Sequence, residues 1–177
     1  MWSLPFVTGL SEETPMNAQR GVVLIVSLVF LLLLTLLATS SMQNATLQEK
    51  VSGSLTLRHQ SFQKAETVLR AAEATVLEPG FFLPECASPT LCLPPKDALT
   101  RSTAGSGGQS GVIWVASPGG LFGVQHLGQT DDPAGAAERS GFRRLYRVTA
   151  IGLQGSARTV LESIHTEERR IMWRQRL

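Results

Sequence analysis

Charge disappears from the chain between Val22 and Ala38, where seventeen consecutive residues include only Ser27 and Thr35 as polar members. Extended to Met42, the run is 21 residues long. As a helix it would span about 32 Å, close to the hydrocarbon thickness of a bilayer. Further on, the pattern changes from continuous to periodic. Val51, Leu55, Arg58, Phe62, Ala65, Leu69, Ala72 and Val76 recur at alternating steps of four and three. That is the stripe of an amphipathic helix, with Arg58 as its one break. No proline occurs between Met16 and Leu77, and Pro79-Gly80 supplies a stop. The spacing therefore predicts one helix over residues 22–77, about 84 Å long. Glu66 and Arg70 stand four apart with the acid first, the favoured order on an exposed helix face. Gly53, the one glycine after Gly21 in this stretch, reads equally as a bend or as a tolerated residue.

Helical signals fade after Gly80. Pro84, Pro89, Pro94 and Pro95 make residues 79–96 a loop, and Ser102 to Gly111 is rich in Gly and Ser. Val112-Ile113-Trp114-Val115 is a short strand candidate. The clearest β signal is late: Leu145–Gly152 and Ser156–Ile164 flank Leu153-Gln154-Gly155 as a hairpin. Tyr146, Val148 and Ala150 share one face of the first strand, and Arg147, Thr149 and Ile151 share the other. A lone hairpin is marginal in water, so the helix stripe has to cover it. The expected fold is α+β: a long N-terminal helix, half transmembrane and half amphipathic, packed on a small antiparallel sheet of three or four strands. The segments are residues 1–21, an apolar half-helix 22–42, an amphipathic half 43–78, a loop-rich head 79–166 with the hairpin, and a basic tail 167–177. That tail, Glu167–Leu177, reads as a solvated end, with a docking segment as the alternative.

Charge then orients the apolar run. Arg20 precedes it, and no Lys or Arg follows until Lys50. Positive charge on the short N-terminal side predicts that this side stays cytoplasmic and the remainder is exported. A buried core helix is disfavoured by the length of the uncharged run. A cleaved secretory signal ending near Ala38-Thr39-Ser40 is disfavoured because its apolar region would exceed the usual ~7–15 residues. Met16-Asn17-Ala18-Gln19-Arg20-Gly21 reads as a short basic leader by itself, so translation is expected to begin at Met16. Cys86 and Cys92 both lie on the exported side. A disulfide is expected there, with two free thiols as the alternative and zinc disfavoured by the spacing.

Several function classes fall away. A net charge of +2 with no basic stripe gives no case for nucleic acid. No nucleophile elbow, phosphate-binding loop or metalloprotease helix occurs. His59, His126 and His165 are isolated, Asp131-Asp132 precedes Pro133 in a turn, and Glu66 and Glu73 suit solvation or docking. Neither an enzyme, a metal site nor a cofactor is expected.

Gln19-Arg20-Gly21 followed by Val22-Val23-Leu24-Ile25-Val26 resembles a type IV prepilin leader and its junction. Glu49-Lys50-Val51-Ser52-Gly53 and the segment Ser61–Glu73 resemble the PilX group of minor pilins. The resemblance covers residues 16–77 well and the late hairpin loosely. It implies cleavage by a prepilin peptidase after Gly21 and methylation of the new terminus at Val22, while helix packing through Val51, Leu55, Phe62, Leu69 and Val76 is expected from the periodic stripe. The resemblance also implies partners: other minor pilins, the major pilin, the prepilin peptidase, an inner-membrane assembly platform and, as a further candidate, a tip adhesin. Major pilins resemble one another in a glutamate at the fifth position after the cut, where this chain has Val26. A carboxylate in lipid is costly and tends to be functional. Its absence suits a subunit that starts or caps a filament. The expected role is initiation of type IV pilus assembly near the tip. A membrane-anchored periplasmic binding protein and a type II secretion pseudopilin are the alternatives.

Overall fold

The computed structural model describes residues 17–131 and 141–176, with no side-chain account of residues 17–20. The expected start at Met16 and the Asp132-Pro133 turn lie outside the described residues. Helix α1 runs Asn17–Val76 and is followed by a 3-10 turn at Lys96–Leu99. Among the described residues six strands follow: β1 Gly105–Ser106, β2 Ile113–Ser117, β3 Gly120–Thr130, β4 Arg143–Gln154, β5 Ala157–His165 and β6 Arg170–Arg176.

The chain divides into two units, one ending at Lys50 and one beginning at Val51. In the first, every described side chain from Gly21 to Lys50 is exposed. An apolar surface of this kind is stable against lipid or other apolar helices, not against water. Among the described residues, the Gly21–Val76 helix is the one long and apolar enough to cross a membrane.

The second unit is a sheet of strand order β1-β2-β3-β4-β5-β6, every pair antiparallel, with the last part of α1 on one face. Six strands replace the expected three or four. The hairpin expectation is met: β4 and β5 pair from Tyr146↔His165 to Gln154↔Ala157. That register leaves Gly155 and Ser156 as the two-residue turn, and Gly155 has φ +55° while no residue other than glycine has a positive φ among those described. A glycine alone at the first central position is the pattern of a type II′ turn, whose twist suits the flanking strands.

The solvated-tail expectation for residues 167–177 is not met. Residues Arg170–Arg176 form β6 and pair with β5 from His165↔Arg170 to Val160↔Arg176. The arginines that made this stretch read as a tail sit on an edge strand, where charge guards the open backbone.

The helix-covered face holds Ala65, Val68, Leu69, Ala72 and Val76 against Tyr146, Val148, Ala150 and Leu161, with Phe62 half-buried beside them. Gly152 permits the close approach. A Cβ there would lie 2.1 Å from the Ser61 carbonyl oxygen and 2.4 Å from the Ala65 backbone nitrogen. Ser61 continues the buried face where the sequence stripe had Arg58, and its hydroxyl meets Thr159 Oγ1 at 2.8 Å. Lys64 Nζ donates to the Leu153 carbonyl at 3.2 Å and to Gln154 Oε1 at 2.5 Å, tying α1 to the end of β4.

Candidate functional site

The residues singled out in the sequence fall in three places. Gly21, Val22 and Val26 lie on α1 with exposed side chains, the two valines at 60% and 54%. Leu69 and Val76 are in the core and Phe62 borders it. Val51 and Leu55 are not packed within this chain: they are 59% and 51% exposed. Their place on the stripe is geometrically right, but the sheet covers α1 only from about Leu57 onward, where Leu57 Cδ2 lies near Gly155. The third place is the proline-rich loop, where Cys86 and Cys92 form a disulfide with Cα atoms 5.5 Å apart.

That loop is fastened to the second face of the sheet by a set of side chains the sequence did not announce. On alternate positions of β3, β4, β5 and β6 stand Gln125, Arg147, Glu162, Arg174 and Arg176. Gln125 Nε2 donates to the carbonyls of Leu91 at 2.6 Å and Leu93 at 3.1 Å. Arg147 Nη1 donates to the Cys92 carbonyl at 2.5 Å, and Arg176 Nη1 to that of Pro95 at 2.9 Å. Arg158 reaches the carbonyls of Ala98, Thr100 and Arg101. A proline-rich loop has few backbone donors to pair its own carbonyls, so the arginines supply them.

Glu162 holds this cluster together electrically. Its side chain is 3% exposed; Arg174 Nη2 lies 2.8 Å from Oε1 and Arg147 Nε 3.4 Å, with Arg176 Nη1 at 3.8 Å from Oε2. Burial pushes the Arg147 guanidinium below its ordinary pKa, Glu162 opposes that, and Arg174 and Arg176 add to it. Burial likewise lowers Arg158. Beside the polar cluster, Ala98, Val112, Trp114, Leu121, Ile151 and Val160 form a second apolar core, and Trp114 Nε1 donates to Asp97 Oδ2 at 2.9 Å. The arrangement braces a loop and offers no nucleophile–base pair.

The histidines and acids of the sequence reading take other positions. His165 is buried with Nδ1 2.8 Å from the Thr166 carbonyl, His59 is exposed, and His126 packs on Tyr146. Glu66 pairs with Arg70 at 2.6 Å on the exposed face, as the spacing predicts. Glu73 points inward instead and meets Arg170 at 3.4 Å, tying α1 to the start of β6. Among the described residues, no group of three or more His, Cys, Asp or Glu gathers as a metal site would.

An apolar N-terminal helix whose later part packs on an antiparallel sheet is a pilin-like α+β arrangement. Residues 20–70 match the family model described as PilX N-terminal, which is consistent with a PilX-like pilin. The match includes Arg20, Gly21 and the whole apolar run, and ends inside the helix stripe. No curated protein and no solved structure matches the chain. The pilin class to which the match points is structural rather than catalytic.

Proposed function

We propose that the chain is a minor pilin that takes part in initiating type IV pilus assembly, at or near the filament tip, and that it has no enzymatic activity. The observation that carries this is the PilX N-terminal match over residues 20–70; it is supported by the sequence itself, where Gly21–Val22 stands directly before the apolar run. In this reading a prepilin peptidase cuts after Gly21, and Val22 becomes the methylated terminus. The apolar half-helix, a single-pass anchor in the inner membrane, passes from the bilayer into a bundle with other minor pilins and the major pilin on the assembly platform. The head faces the periplasm, consistent with the arginine before the run and the disulfide after it. Exposed Val51 and Leu55 lie beyond the part of α1 that the sheet covers, so they remain available to neighbouring helices in the bundle.

Val26 supports a terminal position, because a valine offers no carboxylate to the N-terminal amine of an adjacent subunit. Val26→Glu is expected to let the protein enter the shaft; unchanged piliation with the protein still confined to the tip would show that this charge does not set its place. The decisive measurement is the mass and N-terminal sequence of the membrane-extracted protein with and without a prepilin peptidase. A peptidase-dependent methylated terminus at Val22 is expected. A terminus at Met16 or Met1 in both strains would indicate a plain anchor, and one near Ser41 a secreted protein; either removes the pilus reading.

A further inference from the structure

The stripe of α1 leaves the core at Phe62. Its next three members toward the N-terminus, Arg58, Leu55 and Val51, are exposed on the same face of the helix. Arg58 is the residue that broke the apolar pattern in the sequence. Its side chain makes no hydrogen bond or ion pair among the described residues, whereas Arg70 on the same helix is paired with Glu66.

A groove of about 840 Å³ lies beside this part of α1, against the start of β5 and the end of β6. Leu55, Phe62 and Leu99 give it apolar walls, and Arg58, Arg158 and Arg176 line it with exposed His59 next to them. No Asp or Glu is among the described residues of the lining. Arg158 donates to the carbonyls of Ala98, Thr100 and Arg101, which carry no net charge. Burial lowers its pKa, and among the described residues no carboxylate opposes that. Arg176 shares the one carboxylate of Glu162 with Arg147 and Arg174. The groove therefore carries positive charge without a matching acid, and exposed Arg58 presents part of it directly to solvent.

Two features select the occupant. Uncompensated positive charge favours a partner surface that carries acid. The exposed ridge of Val51, Leu55 and Arg58, at steps of four and three, is a surface that another helix packs against. A small anion would meet the arginine and leave the two apolar side chains in water, while a helix bearing a carboxylate covers all three.

We propose that this surface docks a helix of a partner chain, which lays apolar residues on Val51 and Leu55 and an Asp or Glu carboxylate on Arg58. The inference rests on the minor-pilin reading for the source of that helix, and adds the chemistry by which the partner is chosen and held in register.

The test is made in cells on the full chain, with a benzophenone amino acid in place of Ser54, which is exposed and lines the groove. Light is expected to join position 54 to another chain, at a peptide that carries an Asp or Glu among apolar residues at steps of three and four. Arg58→Glu should lower the cross-link yield about fivefold at equal protein level, and Arg58→Lys should keep it. Reversing the mapped acid to lysine should restore the yield in the Arg58→Glu strain. The urea midpoint of the purified variant, expected to equal that of the wild type, separates lost docking from a damaged head. Equal yield from wild type and Arg58→Glu would overturn the proposal. A cross-link to phospholipid, which assigns the groove to a membrane surface, would do the same. The N-terminus is read in the same cells. A terminus at Val22 without a charge-dependent cross-link overturns this inference alone, and a terminus elsewhere removes the pilus reading whatever the cross-link shows.

Discussion

The two faces of the head sheet are built on opposite principles, although they share the same strands. Toward α1, Tyr146, Val148, Ala150 and Leu161 meet Ala65, Val68, Leu69 and Ala72 in an apolar contact closed by the missing side chain of Gly152. Toward the disulfide loop, Arg147 and Arg176 meet backbone carbonyls and are joined with Arg174 around the Glu162 carboxylate, with a smaller apolar core around Trp114 and Ile151 beside them. A regular helix satisfies its own backbone and presents a carbon surface, so carbon suffices to hold it. An irregular loop brings unpaired carbonyls with it, so the face that receives it must carry donors. The adjacent residues Tyr146 and Arg147 show the contrast. Burial raises the pKa of the first, above its ordinary value, and lowers that of the second, below it, each time favouring the uncharged form.

The helix side should break most sharply at Gly152. Gly152→Val places atoms against the backbone of Ser61 and Ala65, which has no flexible end to move aside. A loss at or above about 3 kcal/mol is expected, read as a lower urea midpoint for the detergent-solubilised chain. On the loop side, Glu162→Ala strips the buried Arg147 of its counter-charge. It should cost about 3 kcal/mol in the same measurement, while Glu162→Gln, which keeps the shape, recovers part of it.

Replacing Cys86 and Cys92 together by serine tests whether the loop is held by its bridge or by the arginines. About 2 kcal/mol is expected. The loop should remain on the sheet, because Gln125, Arg147 and Arg176 bind its carbonyls independently of the sulfurs. Increased amide exchange spread over the whole sheet would instead assign the loop's attachment to the disulfide. The smallest effect concerns pH. The unfolded chain releases the Tyr146 proton near pH 10 while the folded chain, with its raised pKa, retains it. Stability is therefore whole below pH 10 and declines as pH rises from there to the folded-state pKa. Tyr146→Phe, which removes a buried hydroxyl that has no hydrogen-bond partner among the described residues, should equal or exceed the wild type in stability at neutral pH and show a flatter alkaline profile in denaturant titrations.

Those contrasts also explain what was legible in the residue order. The helix was readable because its signals are local: an uncharged run, a period of three and four, and a proline-glycine stop. The β4–β5 hairpin was readable from β-branched residues around Gly155. Strand β3 carries Gly120, Gly123 and Gly128, which dilute the strand pattern for reasons of close approach; a Cβ on Gly123 would lie 2.3 Å from Val112 Cγ1. Strand β6 hid behind its arginines, whose partners are carbonyls some eighty residues away and Glu162 on β5. Loop carbonyls have no side-chain signature, so Arg147 and Thr149 could be placed on the second face but the partners of Arg147 could not be read. The Cys86–Cys92 pair was the one visible hint that this loop has a fixed shape. His126 looked isolated because its neighbours Leu83 and Tyr146 arrive from distant segments.

Strand order along the sheet follows the order of synthesis, β1 through β6, and this sets a timetable. The apolar face of α1 is complete once Val76 is made, but Tyr146 through Leu161 must follow before it is covered. At ribosomal speeds that gap is on the order of five to fifteen seconds, far longer than a hairpin needs to form. Until those strands are made, Val68, Leu69, Ala72 and Val76 have no sheet to cover them. The pairing of Glu73 with Arg170 joins the helix to β6, the last made of the six described strands. An apolar helix face whose covering strands are still to come invites aggregation, so the yield of the head should depend on what shields that face in the meantime more than on the strength of any one contact in the native state.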